Sequence, residues 1–140
     1  MIESAKAAIE QVGITALSDK PLCEMSTGEL RKTLIARALA LRPEALLLDE
    51  PTVGLDIGAQ IEFLDTVGGL SKDKTVIIIT HHIEEIIPQI KKVLLLKDGT
   101  VFRYGTKQEV LTGENLSEAF GVSIEVGLDG DRYHIKRICG

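Results

Sequence analysis

Two adjacent acids and a histidine stand directly after two short apolar runs of the sequence. Asp49 and Glu50 follow the apolar residues 45–48, and His81 follows residues 75–80. In such an acidic pair one carboxylate can bind Mg²⁺ through oxygen and water ligands, and the next can orient and deprotonate an attacking water. Acids also simply end a strand and cap the segment that follows. The acidic pair by itself is therefore equally compatible with a catalytic and a purely local role.

Alternating apolar segments predict the elements that position these side chains. Residues 45–48 form a continuous apolar run of the kind found in strands buried on both faces, and residues 75–80, apolar from 76 to 79, predict a second such strand. Residues 57–70, between them, have helical spacing. A short helix is predicted around residues 83–90 and a third strand over residues 92–97. The order β, α, β, α, β predicts parallel pairing with right-handed crossovers. The carboxyl ends of parallel strands meet at one edge of the sheet, where ligands bind.

Two helices are predicted ahead of the acidic pair. Apolar residues at helical spacing over residues 2–12 stop at Gly13, a common helix C-terminus. Ser26 and Glu29 form an S-x-x-E capping box, which predicts a second helix that ends before Pro43.

The last third of the sequence predicts hairpins and short helices, and no linker divides the chain. The signals are a turn at Asp98-Gly99, a second capping box at Thr106 and Glu109, a helix over 116–120 closed by Gly121, and a terminal hairpin around Asp129-Gly130.

Composition excludes several classes of function. The 140 residues are 44% apolar and 26% charged with a net charge of −5, so a general electrostatic grip on nucleic acid is not expected. The longest apolar runs are strand-sized, and residues 1–12 favour an amphipathic helix over an export leader. Cys23 and Cys139 are isolated thiols without metal-ligand spacing.

Four linked motifs carry a family resemblance. They are Met25-Ser26-Thr27-Gly28-Glu29, then Asp49-Glu50-Pro51, then Thr52-Val53-Gly54-Leu55-Asp56, and finally Thr80-His81-His82. The set resembles the ABC ATPases, in which a signature loop, Walker B strand, D-loop and H-loop occur in this order. The resemblance implies an α/β fold, part of a P-loop NTPase-type cassette. It would be a single truncated domain with a helical remnant over 1–42, a mostly parallel core over 43–106 and an antiparallel extension over 107–140.

The resemblance also implies roles for the residues after the two strands. Asp49 would be the Walker B aspartate acting on Mg²⁺, and Glu50 the catalytic base that polarises water. His81 would contact the γ-phosphate and Glu50, and Asp56 would be the D-loop aspartate at a dimer interface. His82 is expected to face solvent without a role.

Ser26, Thr27, Gly28 and Glu29 would contact the γ-phosphate of ATP bound to the opposite subunit. A helix N-terminus offers free N–H groups and partial positive charge for such a contact. The sequence departs from the family's usual L-S-G-G-Q at three of the five positions, with Met25, Thr27 and Glu29. A Cβ at Thr27 and a negative charge at Glu29 predict weakened phosphate binding.

No G-x-x-x-x-G-K-[ST] phosphate loop occurs in the 140 residues. We therefore expect the chain to be inactive alone. In a complete protein it would use ATP and Mg²⁺ and would pair with a second cassette and a membrane permease. That protein would lie at the cytoplasmic face of the membrane. The chain itself would be either a truncated cassette or a short protein that has lost catalysis.

Two other readings compete with the enzyme fragment. The first is a non-catalytic module that pairs with a complete cassette. The second, weaker one is a metal-dependent hydrolase site formed by Asp49, Glu50, His81 and His82. Missing strands predict an uncovered edge and self-association.

Overall fold

The computed structural model describes residues 2–139, with side chains to Ile138, and divides into two compact units. The units are Met1–His81 and His82–Gly140. The prediction of one truncated domain with internal boundaries after residues 42 and 106 stays a prediction. In the part of the chain that is described, no helix is both long and apolar enough to cross a bilayer.

Three helices of the first unit begin and end where local signals place them. They are α1 (Ile2–Gln11), α2 (Thr27–Leu39) and α3 (Ile57–Leu70), with single 3-10 turns at Thr15–Leu17 and Leu22–Glu24. The capping box that opens α2 is formed in full, which confirms the helix start predicted from Ser26 and Glu29.

A parallel pair of strands lies at the centre of the first unit. Strands β1 (Ala45–Asp49) and β2 (Thr75–Ile79) pair in register, with Leu47 opposite Ile77 and Asp49 opposite Ile79. The connection between them contains α3, because parallel neighbours need a crossover. The predicted parallel pairing of these two strands is confirmed.

Burial of β1 and β2 on both faces, expected from their apolar runs, is wrong. Leu46 is 5% exposed, whereas Leu47, Ile77 and Ile79 are 65%, 49% and 47% exposed. Successive side chains of a strand point to opposite faces, and the described residues of this unit provide a core for one face only. The face formed by Leu47, Ile77 and Ile79, called here the open face, therefore meets solvent.

The core of the first unit is dominated by α3. Phe63, Val67 and Leu70 are at most 2% exposed, and they recur at the three- and four-residue spacing of a helix face. The other buried apolar residues of this unit are Ala8, Val12, Ile14, Ile35, Ala36, Leu39, Leu46, Leu55 and Leu64.

The second unit consists of two antiparallel hairpins and two short helices. After a 3-10 turn at Ile83–Glu85, the elements are β3 (Lys92–Lys97), β4 (Thr100–Thr106), α4 (Lys107–Val110), α5 (Gly113–Phe120), β5 (Ser123–Asp129) and β6 (Arg132–Cys139). Strand β3 pairs with β4 and β5 pairs with β6. Buried Ile83, Leu111, Leu116, Ile124 and Tyr133 form its core.

Turn signals of this unit are confirmed, and one helix expectation is wrong. Asp98 and Gly99 have φ values of 51° and 73°, as the predicted hairpin requires. The helix expected over residues 83–90 is only the short 3-10 turn, because Pro88 lacks a donor and restricts the residue before it. Strand β3 pairs antiparallel with β4, as the Asp98-Gly99 turn predicts, and parallel pairing of β3 with the first two strands stays a prediction.

The exposed apolar residues of the open face predict that the chain self-associates. We expect the purified chain to form dimers or larger species at high concentration, because natural proteins rarely leave contiguous apolar surface uncovered. Ile77→Lys should shift the sedimentation velocity profile towards monomer. Ile61→Lys is the matched control, since Ile61 is 50% exposed but lies on α3. A compact monomer at high concentration for the unmodified chain would contradict the expectation.

Candidate functional site

The carboxyl ends of β1 and β2 bring an acid and an imidazole into contact. His81 Nδ1 lies 2.6 Å from Glu50 Oε1, although 31 residues separate them in sequence. The parallel register creates this contact, because Glu50 N–H donates to the Ile79 carbonyl at 2.9 Å and extends the ladder by one bond. The Glu50 side chain is 34% exposed and that of His81 is 61% exposed. The pair is therefore open to a ligand.

Glu50 has an unusual backbone for its residue type. Its φ is 44°, in the left-handed region that side chains other than Gly, Asn and Asp seldom adopt. This turn directs the chain away from β1 immediately after the strand ends. Strain of this kind persists where the surrounding structure fixes it, and it is concentrated at functional sites.

Asp49 is the last residue of β1 and directly precedes Glu50 in sequence. Its side chain is exposed and, by strand alternation, on the same face as Leu47. The second carboxylate oxygen of Glu50, Oε2, is buried and has no hydrogen-bond partner among the described residues. Carboxylate oxygens of this kind are the ligands that a hard cation such as Mg²⁺ prefers, together with its retained waters. The donor set thus fits the ion that the family resemblance implies.

Asp56 caps the helix that leaves the site. Its Oδ1 accepts from the Ala59 N–H at 2.9 Å, and Asp56 itself is exposed. An aspartate at this position satisfies one of the free donors of the helix start and favours its partial positive charge. The local capping role is shown; a role at a dimer interface stays a prediction.

Two backbone N–H groups at the start of α2 are bonded in the capping box and are therefore not free to bind a ligand. Ser26 Oγ accepts from the Glu29 N–H at 3.2 Å, and Glu29 Oε2 accepts from the Ser26 N–H at 2.7 Å. The N–H groups of Thr27 and Gly28 lie between these two donors in sequence and are not part of the capping box. Phosphate recognition by residues 26–29 would therefore rest on Thr27, Gly28 and the Ser26 hydroxyl.

Lys20 is a residue of this region that sequence reasoning missed. Its Nζ lies 2.7 Å from Glu29 Oε2, so the same oxygen accepts from both Lys20 and the Ser26 amide. The hydrogen bond from Lys20 lowers the pKa of Glu29 below its ordinary value of 4.5, and the hydrogen bond from the Ser26 amide is the second largest cause. The departure from Gln at position 29 is thus accompanied by a compensating cation. A lysine nine residues away gives no sequence signal for this pairing.

Lys20→Met should raise the pKa of Glu29 towards 4.5. Because the folded-state pKa is depressed, the Lys20 contact stabilises the fold above the unfolded pKa, and this stabilisation is lost as pH falls through the folded value. Carboxyl ¹³C NMR titration measures the shift. Glu109 is the internal control, since its pKa is lowered by the Thr106 amide and hydroxyl. An unchanged Glu29 titration in the variant would contradict the assignment.

Gly28 sits where α2 approaches α3. A Cβ placed on Gly28 would lie 3.3 Å from the Ala59 Cβ, which is tighter than almost all such contacts. The small residue therefore permits close helix approach, independently of any approach to phosphate. Lys32 Nζ and Glu62 Oε2, 2.9 Å apart, link the same two helices.

The sequence-predicted residues thus fall into two groups within the first unit. Glu50 and His81 are in contact with each other, with Asp49 adjacent in sequence to Glu50. Ser26, Glu29 and Asp56 occupy helix starts, where their side chains make capping bonds. His82 belongs to the second unit and is exposed. The catalytic, metal and phosphate roles of these residues remain predictions.

Sequence comparisons show which known proteins this chain is similar to. The ABC transporter family profile matches residues 1–53. The ABC transporter ATP-binding protein YlmA of Bacillus subtilis is 40% identical over 138 residues, which cover 96% of this chain and 52% of YlmA. The energy-coupling factor transporter ATP-binding protein EcfA2 of Bacillus cereus is 38% identical over 90% of this chain and 44% of its own length.

Solved structures give the same result for the fold. A metal-chelate type ABC transporter in an inward-facing conformation superposes with a TM-score of 0.83 at 26% identity, over 99% of this chain and 57% of the other. The cbiO1 protein of Clostridium perfringens, part of the transporter complex cbiONQ, gives 0.72 at 30% identity over 84% and 47%. The chain is similar to ABC-type ATP-binding subunits, and it spans about half the length of the relatives it matches.

Proposed function

We propose that the chain is the C-terminal portion of the ATP-hydrolysing subunit of an ABC transporter, which energises transport across a membrane by hydrolysing Mg-ATP in a dimer. The observation that carries the proposal is the 2.6 Å contact between Glu50 and His81 at adjacent strand ends. The nucleotide phosphates would be bound by a phosphate loop outside these 140 residues, since the sequence has none. The subunit would lie on the cytoplasmic side of the membrane against a permease.

Within this function the acid and the imidazole have separable tasks. The Glu50 carboxylate orients a water and accepts its proton, and His81 holds that carboxylate through Nδ1 while its exposed ring faces the γ-phosphate. Asp49 would hold Mg²⁺, which when bound neutralises charge on the phosphate oxygens. Asp49 and His81 are exposed, and the Glu50 side chain is 34% exposed.

The helix starts contribute to the opposite subunit. Ser26, Thr27 and Gly28 would bind the γ-phosphate of ATP held by the partner cassette, with Glu29 kept in its capping bond and balanced by Lys20. Asp56, at the start of α3, would face the same interface. Two composite sites in a dimer follow from this arrangement.

A chimera tests the proposal. The 138-residue stretch of YlmA that matches this chain is replaced by the chain itself. We expect the chimera to hydrolyse ATP in a Mg²⁺-dependent manner, as the parent YlmA provides the positive control, and the isolated chain to show no turnover. A folded chimera that binds ATP yet shows no turnover, beside an active parent, would overturn the proposal.

The second candidate is a non-catalytic module that pairs with a complete cassette. The carboxylate of Glu29 at the start of α2 favours it, because a negative charge replaces the neutral amide usual in the family. Saturable binding of the chain to complete YlmA would support this candidate over the first. Glu50→Gln in the chain should then leave the turnover of YlmA in the mixture unchanged.

A further inference from the structure

The turn between Glu50 and Asp56 is held by side chains from both helices that flank it. Arg31 on α2 donates from Nη2 to the Val53 carbonyl at 3.3 Å. Gln60 on α3 donates from Nε2 to the Leu55 carbonyl at 3.0 Å. These two donors reach the turn from different elements.

Backbone bonds alone close this turn weakly. The Val53 N–H reaches the Glu50 carbonyl at 3.4 Å, at the long end of the hydrogen-bond range, and the Leu55 N–H reaches the Thr52 carbonyl at 3.0 Å. Gly54 has a φ of 81°, which allows the chain to reverse between them. A long first bond and a permissive glycine leave the turn dependent on its side-chain donors.

Arg31 connects three features of the first unit. It lies on α2 five positions after the Ser26 cap, and it lines a cavity of about 250 Å³ together with Asp49 and Pro51. Its guanidinium is a charged donor, and its exposed bond to the Val53 carbonyl, at 3.3 Å, is also at the long end of the hydrogen-bond range. One side chain therefore links the helix that carries the signature loop to the turn that follows the candidate base.

We propose that Arg31 and Gln60 are positioning residues that fix the 51–55 turn, and with it the placement of Asp56 relative to Glu50. Neither side chain needs to touch nucleotide for this role. The catalytic consequence of the inference rests on the proposed function, whereas the structural contact does not.

Amide hydrogen exchange of the 140-residue chain tests the contact directly. Leu55 is buried and its N–H is bonded within the turn, so its exchange reports on turn opening. Arg31→Met keeps the apolar stem and removes the donor, and we expect Leu55 exchange to rise roughly fivefold, the factor that about 1 kcal/mol represents. Gln60→Met should act at the same amide, and Arg31→Lys should restore part of the protection.

Lys32→Met is the matched control. Lys32 is the neighbouring cation on α2, but its partner is Glu62 on α3 and not the turn. We expect this variant to leave Leu55 exchange unchanged. Equal loosening by Lys32→Met, or no effect of Arg31→Met, would overturn the inference, because the turn would then depend only on general contact between the helices.

Turnover of the YlmA chimera tests the positioning role. Arg31→Met should lower kcat several-fold with KM for Mg-ATP unchanged, because the turn places protein groups and does not bind the nucleotide. Unchanged kcat together with faster Leu55 exchange would overturn the positioning role. An unmodified chimera without turnover would instead count against the proposed function, and exchange in the isolated chain would still decide the Arg31 contact.

Discussion

Glu50→Gln is expected to reduce Mg-ATP turnover of the YlmA chimera at least about 100-fold, the size of effect typical of losing a positioned general base. The amide keeps the shape of the side chain and can still hydrogen-bond His81, but it cannot accept a proton from water. ATP binding should persist, since the substitution leaves the phosphate-binding groups intact. Steady-state phosphate release and nucleotide binding measured on the same preparation separate the two effects.

Glu62→Gln is the matched control for this substitution. Glu62 belongs to the same unit, but its side chain is 73% exposed and pairs with Lys32 on the surface. Exposed pairs of this kind contribute little to stability, so turnover should stay near that of the unmodified chimera. Comparable turnover in the Glu50 and Glu62 variants would mean that Glu50 is not the catalytic base.

Phe63→Ala should destabilise the first unit by about 3–5 kcal/mol, a large part of the stability of an ordinary domain. Phe63 is 2% exposed, and its ring lines the cavity between α2 and β1 that Asp49 also borders. Removing the ring enlarges that cavity beside the strand carrying the acids. Guanidinium unfolding followed by circular dichroism measures the loss.

Ile61→Ala on the same helix is the control for the Phe63 substitution. Ile61 is 50% exposed, so we expect a change of about 0.5 kcal/mol or less. Similar midpoints for both variants would mean that α3 does not bury its Phe63 face in solution.

Local capping and turn chemistry made much of the fold predictable. Ser26, Thr106 and Gly121 each mark a helix end through bonds or backbone angles within a few residues, and the structure has all three boundaries. The expectation of two-sided burial for β1 was wrong because an apolar run does not state which of its faces a neighbour covers. Burial depends on distant segments, which periodicity does not encode.

The candidate site was predictable to the extent that strand order determines it. Once residues 45–49 and 75–79 pair in parallel, Glu50 and His81 must emerge at one edge, and their contact follows. Lys20 and Arg31 were not predictable, since the partner of each lies nine or more residues away in a different segment. Such contacts depend on how helices, strands and turns pack in three dimensions, which the local sequence does not predict.

The left-handed backbone at Glu50 sets stability and turnover against each other at one position. A glycine or asparagine there would relax the main chain, whereas only a carboxylate can serve as the proposed base. A more stable main chain and the proposed hydrolysis therefore make opposite demands on the residue at position 50.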